Sequence, residues 1–128
     1  MRPVIYILQS AIICLVMALH SYAADEIATI VGEAGGEGLR GMQAVANVIY
    51  NRQQAHLPLT FYGERNPVVQ RQPARVFAQA RDAWTRRTQD ITEGATHFEN
   101  VEAFGTPAWA QHMTVTARIG RHTFYRSK

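Results

Sequence analysis

The stretch GEAGGEGLRGMQAVANVIYNR, residues 32–52, decides the fold. Its second half is a helix pattern. Met42, Val45, Ala46 and Ile49 form one apolar stripe, and Ala44 and Val48 widen it until the segment is apolar nearly all round. Such a helix belongs at the centre of a domain. It is predicted to run from Gly38 to Arg52. Gln43 and Asn47 lie within it, and amides placed in a core must find hydrogen-bond partners or line a cleft. The core reading is the simpler one for Asn47; Gln43 fits either.

Upstream, Asp25 and Glu26 open a first helix, where negative charge suits the helix dipole. Ile27, Ile30, Val31 and Ala34 repeat at helical spacing, and Gly35-Gly36 stops the run. At about 100° per residue, Glu33 falls beside the apolar stripe, half towards the core and half towards a groove. A carboxyl at a helix end against an apolar wall gains a raised pKa through desolvation and keeps its proton near neutral pH. One such proton is enough to start cleavage of a glycosidic bond.

Downstream, His56 to Pro73 carries three prolines and no helical period, so it reads as a long loop. Ala74 to Arg87 is helical again, with Val76, Phe77, Ala80 and Trp84 facing inward. Gly94–Phe98 and Arg118–Arg126 are short and rich in Thr, His, Phe and Tyr, as strands are. Between them, Pro107, Trp109 and residues 114–117 suggest a loop and a turn. The expected fold is α+β, a helical body with a small C-terminal β-hairpin.

With 128 residues, one domain is the default. The first residues read as a secretory signal. Arg2 is followed by a mostly apolar run from Val4 to Leu19, and Ser21-Tyr22-Ala23 places small residues where signal peptidase reads. Residues 1–23 are therefore expected to be a signal peptide and 24–128 the exported domain. An uncleaved anchor is the alternative, but the run falls short of the roughly 20 apolar residues of a span. Membrane contact is then transient, through the signal peptide alone. Cys14, the single cysteine, leaves with that segment. The remaining chain can be neither a disulfide scaffold nor a thiolate zinc site.

The formal net charge is +3. Arg65, Arg71, Arg75, Arg81, Arg86 and Arg87 are opposed by Asp82 in their stretch. They form either a solvated face or a patch for an acidic polymer; export favours a wall polymer over nucleic acid. His97, Glu99, His112 and His122 invite a metal reading, but none shows the spacing of a helical zinc motif. A hydrogen-bonding histidine at a cleft is preferred. Nucleophile-elbow, phosphate-loop and dinucleotide motifs are absent from the sequence.

Taken in order, GEAGGEG, GMQAVANVIYNR, GATHF, Pro107-x-Trp109 and IGRHTFYR resemble the cell-wall hydrolases of the SleB/CwlJ type, from about Ile27 to Arg126. The resemblance implies a lysozyme-like, goose-type domain that cleaves peptidoglycan glycan strands. It makes Glu33 the catalytic residue, as first Glu of an E-A-x-G-E motif, and Glu37 the second. It also matches Gln43, the pair Asn51-Arg52 and the strand Gly94–Phe98. The family often carries Arg where this chain has Gly35 or Gly36. Its Gln-Phe-Ser element is matched only loosely by residues 72–77.

The function expected on these grounds is an exported lytic transglycosylase with no metal or cofactor. Glu37, Gln43, His97, Phe98 and Tyr125 are the candidate sugar-binding residues. The rivals are a muramidase using Glu37 or Glu99 as second carboxylate, a non-catalytic peptidoglycan-binding module, and a zinc amidase. The presence of Glu33 in its motif speaks for catalysis. The sequence assigns no oligomeric state.

Overall fold

The computed structural model describes residues 26–61 and 63–128, so the expected signal peptide lies outside the described residues. Four helices and three strands follow in order: α1 over 26–34, α2 Gly38–Gln54, α3 Ala74–Thr85, β1 His97–Glu99, the one-turn α4 Val101–Phe104, β2 Met113–Ile119 and β3 His122–Ser127. No helix among the described residues is long and apolar enough to cross a membrane.

Helix α2 is apolar nearly all round because three different partners cover it. Met42, Val45 and Ile49 pack with Ile30 and Val31 of α1 and with Val76, Ala80 and Ala83 of α3. Ala44 and Val48 face the sheet, against Ala95, Ile119 and Phe124. Phe124 is fully buried there; burying such a side chain contributes about 1.5–3 kcal/mol. The third face carries Gln43, Asn47 and Asn51, one turn apart. Asn47 Nδ2 donates to the carbonyls of Arg87 and Gln89, and its Oδ1 accepts from Ile91 N–H. Gln43 Nε2 also donates to Gln89 O. Asn51 Nδ2 donates to Asp90 Oδ2 and to Ala95 O. The polar stripe of α2 thus holds the connection from α3 to β1.

The sheet is antiparallel in the order β1-β3-β2. The expected hairpin is present, but its bounds differ from the sequence reading. Residues 114–117 lie within β2, and the turn falls inside the stretch read as one strand, between the paired Ile119 and His122. Gly120, at φ 59°, supplies the positive φ that a two-residue hairpin loop needs at its first position. A bulge between Val115 and Ala117 breaks the alternation of β2. Among the described residues, the Thr116 hydroxyl there is the one fully buried side-chain polar atom without a partner. The loop after α2 holds two short 3-10 turns, Gly63–Arg65 and Val69–Arg71, and Val69 plugs the helical core.

Candidate active-site groove

Glu33 stands in the last turn of α1 and lines an open groove of about 910 Å³. Two glycines bring the loop after α2 up to it. A Cβ on Gly32 would fall 1.8 Å from the carbonyl oxygen of Gly63. One on Gly63 would fall 2.6 Å from Glu33 Cγ and 2.7 Å from Thr29 O. The loop backbone therefore rests directly on the helix, and Gly63 N–H donates to Glu33 Oε1 at 2.9 Å. This pins the carboxyl with a backbone group.

Opposite Glu33 lies β1. Residues 96–100 all line the groove. Strand neighbours normally point to opposite faces, but β1 is an edge strand that pairs only with β3. The groove follows its unpaired edge and so meets side chains from both faces. Phe61, from the loop after α2, stacks on Phe98 with centroids 5.8 Å apart and planes 14° apart. Trp109 and Phe104 form the rim, and Phe104 is 80% exposed. Flat apolar surface beside hydrogen-bonding groups suits a sugar ring, whose faces are apolar and whose edges are polar.

Arg52 ties the two walls together. Its Nε donates to Pro58 O at 2.9 Å and its Nη1 to Thr96 O at 2.9 Å, and its guanidinium lies 5.7 Å from the Phe61 ring centre. Burial lowers its pKa. His97 lies beside it, with Nε2 3.5 Å from Arg52 Nη1 and Nδ1 3.0 Å from Thr96 Oγ1. Desolvation, and then the positive charge of Arg52, pull the His97 pKa below its usual value. The imidazole is thus neutral near pH 7.

Of the six residues expected at the site, the structure gathers Glu33, His97 and Phe98 around the groove. The other three are not among the residues that line it. Glu37 begins α2, and its Oε1 accepts from Arg121 N–H while its Oε2 meets His122 Nδ1. Gln43 is spent on the carbonyl of Gln89. Tyr125 is buried and stands edge-on to Trp109, with centroids 5.2 Å apart. It supports a groove residue from behind. Glu99, weighed as a second carboxylate, does line the groove. Phe61, Phe104 and the groove role of Trp109 were not foreseen. The signal available for them was large aromatics placed in loops rather than on apolar faces. The four residues weighed as metal ligands do not assemble, and among the described residues no three His, Cys, Asp or Glu side chains converge.

Comparison with known proteins adds to this geometry. Residues 58–125, just over half of the chain, match the family model described as Cell Wall Hydrolase. Glu33 lies upstream of the matched segment. The crystal structure of the catalytic domain of Bacillus cereus SleB is 27% identical, with a TM-score of 0.57 over 80% of this chain and 87% of that one. The catalytic domain of the germination-specific lytic transglycosylase SleB from Bacillus anthracis is 24% identical, with a TM-score of 0.60 over 79% of this chain and 90% of that one. At that identity the second likeness speaks for the fold alone. The shared fold is lysozyme-like, a helical body carrying a small antiparallel sheet. No curated protein gives a significant sequence match.

Proposed function

The chain belongs to the Cell Wall Hydrolase family, and from that premise we propose that it is an exported peptidoglycan lytic transglycosylase with Glu33 as its acid and base. The observation that carries this reading is the placement of Glu33. Its carboxyl is pinned by a backbone N–H in the wall of an aromatic-lined groove open to a polymer.

The substrate is the β-1,4 bond between MurNAc and GlcNAc. Glu33 protonates the glycosidic oxygen as the bond to C1 breaks and an oxocarbenium-like centre develops. The resulting carboxylate takes the proton of the sugar's own C6 hydroxyl, whose oxygen closes a 1,6-anhydro ring on C1. Because that nucleophile is intramolecular, the step needs neither a second carboxylate nor an activated water. No cofactor or metal takes part. Phe61, Phe98 and Trp109 supply apolar surface for the sugar faces. The export signal, residues 1–23, is removed so that the domain starts at Ala24 and meets peptidoglycan outside the cytoplasm.

The test is digestion of purified sacculi, with the soluble products weighed by mass spectrometry. Anhydro ends are expected. Glu33→Gln keeps the shape and removes the transferable proton, so release should fall about 10²-fold or more with the fold intact. Near-normal cleavage by folded Glu33→Gln would overturn the assignment. One observation favours a second reading, a muramidase that uses water: Glu99 shares the groove with Glu33. Reducing ends together with loss of activity in Glu99→Gln would select it.

A further inference from the structure

Glu37 and His122 form a buried pair that the proposed chemistry leaves unused. Glu37 Oε2 and His122 Nδ1 are 2.7 Å apart, and their side chains are 11% and 7% exposed. The other oxygen, Oε1, is held at 2.7 Å by Arg121 N–H. The chain is built around this carboxylate. A Cβ on Gly120 would fall 2.6 Å from Oε1, and one on Gly41 would fall 2.6 Å from Glu37 Cβ. The His122 ring is fixed from another side by Phe98, edge-on at 5.0 Å.

His122 nevertheless lines the groove. Its Nε2 has no hydrogen-bond partner among the described residues, and it is not among the fully buried unpaired atoms. That nitrogen therefore reaches the solvent of the groove. A carboxylate oxygen accepts, so the proton of the pair belongs on Nδ1, and a ring with one proton then offers the lone pair of Nε2 to the groove.

We propose that His122 is a substrate-binding residue whose Nε2 accepts a hydrogen bond from a hydroxyl or acetamido N–H of the bound glycan, and that Glu37 is the positioning residue that sets its tautomer. This rests on the groove being the glycan site. It gives the two motif carboxyls different tasks: Glu33 meets the substrate, whereas Glu37 acts through an imidazole.

The experiment uses ring-¹⁵N NMR of the purified protein carrying Glu33→Gln, titrated with the tetrasaccharide (GlcNAc–MurNAc)₂. The expected result is an Nδ1–H tautomer in the free protein and a shift of the His122 Nε2 resonance on binding. Kinetics of Glu37→Gln on the same tetrasaccharide form the second arm. The new amide can donate to Nδ1 and drive the proton to Nε2, turning the groove-facing acceptor into a donor with little change of shape. KM should rise roughly tenfold, the scale of one lost hydrogen bond, while kcat moves less. A merely structural role would alter the melting temperature and leave KM and the ring tautomer alone. An Nε2 resonance unmoved by millimolar tetrasaccharide, or an unchanged KM with the tautomer reversed, would overturn the proposal. Cleavage of the probe by Glu33→Gln would instead count against the catalytic role of Glu33, and the Nε2 shift would still decide the role of His122.

Discussion

Two loops leave the helical body, and they are held in opposite ways. The connection over residues 87–95 is fastened by side-chain amides from one face of α2, and Asp90 folds it on itself by accepting from Thr92, Gly94 and Asn51. The loop over residues 56–73 is seated by a backbone-to-backbone touch between Gly63 and Gly32 and by Arg52 reaching Pro58. The first loop delivers β1 to the sheet, and the second carries a wall of the groove. The difference separates two economies of structure. Saturated hydrogen bonding serves the fold, whereas the close approach of two main chains serves the placement of one carboxyl.

Changes that disturb one loop and spare the other test this contrast. The largest effect is expected at Gly63. In Gly63→Ala the new methyl collides with Glu33 Cγ and Thr29 O, so the loop must lift from α1. Muropeptide release should fall by about 10²-fold, the order expected for an ångström-scale misplacement of reacting groups. A circular-dichroism melt should show a smaller change, because of this loop only Val69 is among the buried residues of the helical core and the helices supply the rest.

Asn47→Ala should do the reverse. It removes three hydrogen bonds from a fully buried side chain and takes their partner from the Arg87 carbonyl and the Ile91 N–H, while Gln89 O keeps Gln43. A loss of about 2–3 kcal/mol in urea unfolding is expected, with near-normal activity per folded molecule. Equal damage to activity and stability in both variants would erase the distinction.

A third, smaller effect concerns acid. Burial alone raises the Asp90 pKa, but hydrogen bonds from the side chains of Thr92 and Asn51 and the N–H groups of Thr92 and Gly94 outweigh it, and the net shift is downward. A carboxyl whose folded pKa is depressed contributes stability that is present above its unfolded pKa and lost as pH falls through the folded one. Stability of the parent protein should therefore drop as pH falls below about 4. Asp90→Asn should flatten that part of the profile. Thermal melts across the acid range would show it.

The smallest effect belongs to the rim. Phe104→Ala removes an exposed ring, so the melting temperature should hold while KM for soluble glycan rises roughly threefold.

The helical body was legible because periodicity reports burial directly. The stripe Met42, Val45, Ile49 and its widening by Ala44 and Val48 could only mean a helix covered on several sides. The amides of that helix were visible too, but their partners are backbone groups of 87–95, which have no side-chain signature. The strands were misplaced for a local reason. The bulge at Thr116 disrupts alternation where β2 exists, while the turn at Gly120 and Arg121 is flanked by strand-like residues on both sides. At the site, Glu33 could be singled out because helix end, apolar stripe and motif coincide on it. Glu37 could not be placed, since the Gly-Gly break uncouples its direction from that of α1, and the partner that claims it is 85 positions away. Gly63 was silent, being one glycine in a proline-bearing loop.

The touch between Gly32 and Gly63 is a joint without slack. A side-chain contact can trade one rotamer for another and absorb a small displacement, but main chain lying on main chain has no such play. The distance between α1 and the loop that carries Gly63 is therefore set by the thickness of the polypeptide itself. At these two positions the alphabet shrinks to a single letter, since every other amino acid would begin with the one carbon for which there is no room.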